Sequence, residues 1–154
     1  MIMLRTQLKD SLKDAMKSKD KRKISTLRLI LATLHDRDLA AREKGSDEGI
    51  SEDEILQMLT TMVRQRKDSI KAYEEGGRVD LAAAEQEEID VISEYLPKQF
   101  DEAEMKSAIR ETIADIGAEG LKDMGKTMGA LKSKYAGRMD FAKASALVKS
   151  ELGA

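Results

Sequence analysis

The chain has 154 residues, of which 41% are hydrophobic, 36% charged and 3% aromatic, with a net charge of −2 and no cysteine. That length suits one domain or two small ones. The missing cysteines exclude disulfides, thiolate metal sites and cysteine nucleophiles, and they fit a reducing compartment, so a cytoplasmic location is expected. No apolar run approaches membrane-spanning length, the N-terminus lacks the apolar core of a signal peptide, and no membrane association is expected.

The first helix is expected over about Met3–Lys17, with Leu4, Leu8, Leu12 and Ala15 on one face. Lys17-Ser-Lys-Asp-Lys-Arg-Lys23 then reads as a solvated turn into the next helix, capped by Asp20, with phosphate binding as the alternative. A second helix over about Lys21–Lys44 carries Ile24, Leu27, Leu31 and Leu34, widened by Ile30. Leu29 lies on another face, so this helix packs on two sides or Leu29 meets a partner. The lone histidine, His35, reads as a hydrogen-bonded boundary residue and not as a ligand.

Ser51-Glu-Asp-Glu54 is a capping box, with Ile50 and Ile55 placed as its hydrophobic staple. The helix it starts runs to a glycine stop at Gly76-Gly77. A fourth helix, over about Leu81–Leu96 and started by Asp80, follows. Arg66 falls inside the apolar stripe of the third helix, and Glu85 and Glu88 inside that of the fourth. A charge on an apolar face must be paired or it costs several kcal/mol. The sequence therefore predicts a structural ion cluster of Arg66 with Glu85 and Glu88. A metal is not expected there, since a di-iron bundle needs histidines that this spacing lacks, and no cofactor is expected elsewhere.

Pro97, the only proline, ends the helical pattern because it lacks an amide hydrogen and drives Leu96 out of the helical region. Tyr95 and Phe100 flank the turn. Asp101 and Glu104 open a fifth helix, about Glu102–Ile116, with Phe100 and Met105 as its staple. Helices over about Met124–Ala136 and from Asp140 onward complete the chain. The expected architecture is all-α: an N-terminal bundle of about four helices over 1–96, then a C-terminal three-helix domain over 97–154.

Gly120-Leu-Lys-Asp-Met-Gly-Lys-Thr127 satisfies the P-loop pattern letter for letter, but no buried strand precedes it, so nucleotide hydrolysis is not expected. On the sixth helix Gly125, Gly129 and Ser133 form a ridge of small residues flanked by Lys126 and Lys132. Such a ridge admits close approach of a neighbouring helix or of an RNA backbone. Charge bears on the choice. Residues 1–44 hold 12 basic and 6 acidic groups, residues 45–96 hold 5 and 14, and residues 120–154 hold 7 and 3. Basic ends and an acidic middle attract each other within a fold, or present a basic end to nucleic acid.

Arg64-Gln-Arg-Lys-Asp-Ser-Ile70, Gly77-Arg-Val-Asp-Leu81, Glu85-x-x-Glu88-Ile, Tyr95-Leu-Pro97, Asp123-Met-Gly-Lys-Thr-Met128, Gly137-Arg-Met-Asp140 and Val148-Lys149 follow one another along the chain. Together they resemble the GatB/YqeY family over essentially its whole length, in the stand-alone YqeY-like form. The resemblance implies kinship with the C-terminal tail of the GatB subunit of the tRNA-dependent amidotransferase, and with it a link to tRNA and to an amidotransferase or another translation protein. It also carries the family label of carbon–nitrogen ligase activity with glutamine as amido-N-donor. That enzyme's amidase and kinase-like parts have no counterpart here, so binding is carried over and independent catalysis is not. The RNA-binding positions expected on that basis are Lys126, Lys132, Lys134, Arg138 and Lys143. The alternative is a protein–protein adaptor that binds no RNA, using Leu29 or the small-residue ridge.

Overall fold

The computed structural model describes residues 3–153. Among them lie seven α-helices, one 3-10 turn and no strand. The chain divides into two compact units, Met1–Leu96 and Pro97–Ala154. No helix is long and apolar enough to cross a membrane among the described residues.

The first unit holds α1 (Leu4–Ser18), α2 (Lys21–Glu43), α3 (Glu52–Glu75) and α4 (Val79–Ser93). The four-residue recurrence of apolar side chains brings Leu4, Leu8 and Ala15 of α1 onto Leu27, Ile30 and Leu34 of α2. Ile55, Met58, Leu59 and Met62 of α3, with Ile92 and Tyr95, close this core. Met3 caps α1 without a side-chain bond, and Glu52 supplies the missing acceptor, taking the Leu4 amide at 2.7 Å. The Ser51–Glu54 box forms with both of its hydrogen bonds.

Beyond Met62 the α3–α4 pair continues with Ala82 and Ile89 buried but Ile70, Tyr73 and Leu81 only half-buried, so this end is a two-helix arm outside the main core cluster. Its tip is closed by Gly77, whose φ of +74° a side chain would strain, while the Arg78 amide returns to the Tyr73 carbonyl at 2.7 Å. That reversal moves the start of α4 to Val79, ahead of the expected Leu81. Asp80 sits in the first turn and Arg78 occupies the cap position. At the other end α4 stops at Ser93, and Tyr95 and Leu96 continue in tighter turns onto the Ile92 and Ser93 carbonyls. The proline thus makes itself felt three residues further back than Leu96. His35 is exposed and makes no hydrogen bond among the described residues, correcting its expected boundary bond.

The second unit holds α5 (Glu102–Ile116), the 3-10 turn Leu121–Asp123, α6 (Met124–Tyr135) and α7 (Phe141–Gly153). Its core joins Met105, Ala108 and Ile109 of α5, Leu131 of α6, and Met139, Phe141, Ala144, Val148 and Leu152. Asp101 and Glu104 form a complete capping box. Phe100 meets Tyr135 edge to face, with ring centroids 5.2 Å apart.

Candidate functional site

The outward side of α6 is built by what its inward side must bury. Thr127 and Leu131 are fully buried, with Met124, Met128 and Tyr135 half-buried beside them. The Thr127 hydroxyl donates to the Asp123 carbonyl at 2.9 Å, so it is committed to the helix's own first turn. Gly120–Thr127 follows α5, not a strand, and Gly125 and Lys126 lie within α6. The segment therefore forms no loop around a phosphate.

With the inward side fixed, the helical repeat turns Gly125, Gly129 and Ser133 outward, and all three are exposed. A Cβ built on Gly125 or Gly129 meets nothing within 4 Å. Lys126 and Lys132, six positions apart and therefore about 120° around the helix, stand on either side of this ridge. Lys134 lies beyond Lys126, and all three lysines are exposed. The Lys134 ammonium is 5.4 Å from the Tyr135 ring centroid, and Tyr135 holds its pKa above the ordinary lysine value. The result is a smooth strip of backbone about two turns long, edged by flexible cations.

The other two basic positions differ. The Arg138 guanidinium donates through Nε to the Lys98 carbonyl at 2.7 Å and stacks 4.3 Å from the Phe100 ring centroid. The Phe100 amide in turn donates to the Arg138 carbonyl at 2.8 Å. Arg138 therefore fastens the end of α6 to the start of the unit. Lys143 is exposed in the first turn of α7.

In the first unit Arg66 is only 13% exposed at its side chain. It donates through Nε to Glu88 at 2.8 Å and through Nη1 to the Met62 carbonyl at 3.0 Å. Glu85 is half-buried and makes no ion pair among the described residues. The Arg66–Glu88 pair sits where the two-helix arm leaves the core.

A second buried charge, Asp38, escapes the reading of the sequence. It is 6% exposed and is the last buried residue along α2, one turn after Leu34. Arg5 reaches it with both terminal nitrogens, Nη2 meeting Oδ1 at 2.7 Å, and the same Nη2 also donates to the Ile50 carbonyl at 2.7 Å. The Ile50 amide donates to Asp38 Oδ1 at 2.9 Å. Arg5 holds the Asp38 carboxyl below its ordinary pKa, against burial, which pushes it up. This node ties α1, α2 and the entry to α3 together. Asp38 follows Leu34 by four residues, so the test that singles out Arg66 would find it too.

The model of the YqeY-like protein family matches residues 5–152. The chain belongs to the YqeY-like family. Named relatives of this YqeY-like chain include "Altered inheritance of mitochondria protein 41, mitochondrial" from three organisms. The Candida glabrata protein is 38% identical over 89 residues, covering 58% of this chain and 47% of the relative. The Saccharomyces cerevisiae protein is 36% identical over 89 residues, covering 58% and 46%. The Eremothecium gossypii protein is 33% identical over 124 residues, covering 80% and 62%. The chain thus spans about half the length of the first two. These relatives are named as mitochondrial proteins, which overturns the expected cytoplasmic location.

Proposed function

We propose that this YqeY-like chain is a non-catalytic helical module that binds tRNA along its sugar–phosphate backbone and assists a translation enzyme. The outer face of α6 is the contact. The observation that carries this reading is the open glycine ridge between lysines, where nothing in the fold occupies the space a side chain would fill. Bare helix backbone lets another backbone come close, and cations along its edges suit phosphates. Contact of this kind reads shape and not base sequence, which fits a chain with 3% aromatic residues. The tRNA itself comes from the resemblance to the amidotransferase tail. Lys126, Lys132 and Lys134 bind phosphates, Lys143 adds to the field, and Arg138 holds the frame.

Fluorescence anisotropy with total tRNA tests this, comparing the native chain with a Lys126→Glu/Lys132→Glu/Lys134→Glu variant. Three phosphate contacts give a slope of log K against log salt of about −2.1 to −2.7, so affinity falls by roughly 20- to 40-fold between about 50 and 200 mM salt. The variant loses binding and keeps its melting temperature. Absence of binding at low salt, or equal binding by the variant, overturns the reading.

A further inference from the structure

The corner between α1 and α2 holds an open groove of about 550 Å³, lined by Met16, Lys19, Lys21, Ile24, Ser25 and Arg28. Lys19, with a φ of +59°, ends α1 and turns the chain back to form one wall. The four residues from α2 recur at i, i+3, i+4 and i+7, which makes the other wall a straight strip two turns long. Leu29, one turn beyond Ser25, is 41% exposed, and Met16 is 50% exposed. Large apolar side chains are thus left in water along the groove.

Charge around it is mostly of one sign. Five cations and one acid lie from Lys19 to Arg28, and the acid, Asp20, caps α2 by accepting from the Lys23 amide at 3.2 Å. Arg22 pairs with Glu87 and Lys23 with Glu94, both acids from α4 or the turn after it. The remaining three, Lys19, Lys21 and Arg28, all line the groove, and none forms an ion pair among the described residues. No carboxylate lines it. The fold neutralises the cations that face its own helices and leaves bare those around the apolar floor.

We propose that this groove docks an acidic amphipathic helix of a partner protein. Its apolar side chains at i, i+3 and i+4 cover Met16, Ile24 and Leu29, and its carboxylates meet Lys19, Lys21 and Arg28. A methionine in the wall adapts to differing side chains. Nucleic acid fits less well, because residues 1–44 contain no Phe, Tyr or Trp on which a base could stack. The proposal is independent of the reading of α6.

A fluorescein-labelled amphipathic peptide of about fifteen residues, with leucines at i, i+3 and i+4 and glutamates between them, is the probe. Two variants change exposed groove side chains: Lys21→Glu/Arg28→Glu removes the charge, and Ser25→Trp fills the strip. The native chain binds the peptide. Each variant, still folded by circular dichroism, weakens binding at least tenfold, whereas the triple glutamate variant of α6 does not. Replacing the peptide leucines by serine also abolishes binding. The proposal is overturned if the peptide does not bind, if the serine peptide binds equally well, or if both groove variants bind as the native chain does. Displacement of the peptide by tRNA would give the groove to nucleic acid. Self-association lost in the groove variants would give it to a second copy. Either outcome also overturns the proposal.

Discussion

Replacing Gly125 and Gly129 together by alanine should make the second unit more stable and worse at binding tRNA. Glycine within a helix costs about 0.5–1 kcal/mol relative to alanine, because the free chain loses more conformational freedom. Gly129 lies mid-helix and should return most of that. Gly125, the second residue of α6, should return less. Neither new methyl group meets anything within 4 Å, so no strain offsets the gain. The sum is about 1 to 1.5 kcal/mol, or about 4 to 10 °C for a domain of this size. Thermal unfolding by far-UV circular dichroism, with NMR of α6 amides to assign the transition to this unit, measures it. On the binding side, the methyls hold a docked backbone away from the helix, and we expect about a tenfold loss, equivalent to about 1.4 kcal/mol. Lower stability would refute the open face. Higher stability with unchanged tRNA affinity would refute the use of the ridge.

The remaining predictions concern the two buried charges. Asp38→Asn places an amide donor against a guanidinium and should cost about 2–3 kcal/mol in urea unfolding; a change under about 0.5 kcal/mol would show that Arg5 finds equivalent partners. Because the folded Asp38 pKa lies below its unfolded value near 3.9, its contribution is complete above about pH 4 and lost as pH falls through the folded value, so the variant's acid unfolding should be shallower. Arg66→Met strands the Glu88 carboxylate and should cost about 1–3 kcal/mol, and adding Glu88→Met should recover much of it, since a well-packed apolar pair often replaces a buried ion pair at little cost. Equal unfolding midpoints for native and Arg66→Met would sink the argument.

Local chemistry makes most helix starts legible. Ser51–Glu54 and Asp101–Glu104 satisfy their own orphan amides within four residues, so nothing distant can move them. The start of α4 is misplaced from sequence because Asp80 has the chemistry of a cap, while Gly77 sets where the chain turns. Arg66 and Glu88 are visible as charges on apolar faces of consecutive helices, yet periodicity has no means of choosing between Glu85 and Glu88, and packing chooses Glu88. The node at Asp38 depends on Arg5 and Ile50, 33 and 12 residues away, and no local pattern announces a contact of that range. The groove at the α1–α2 corner is half-legible: Leu29 stands off the main stripe, but which lysines find acids depends on α4. Location is beyond reach, because a lack of cysteine is compatible with more than one compartment.

Gly49 carries a consequence for how such chains can vary. Its φ is +85°, and a Cβ there would overlap the Asp38 carboxylate, coming within 2.7 Å of Cγ and 3.1 Å of Arg5 Nη2. The empty space at position 49 is therefore filled by a carboxylate that α2 sends from position 38. Drift at the two sites is coupled and ordered: a side chain can enter the loop only in a lineage that has already shortened or lost the acid. Loss of the acid first leaves a glycine constrained by its backbone angle and by Arg5 Nη2, 3.1 Å from where a Cβ would stand. Among related sequences, a glycine without the acid should be an allowed intermediate, and the acid without the glycine a forbidden one.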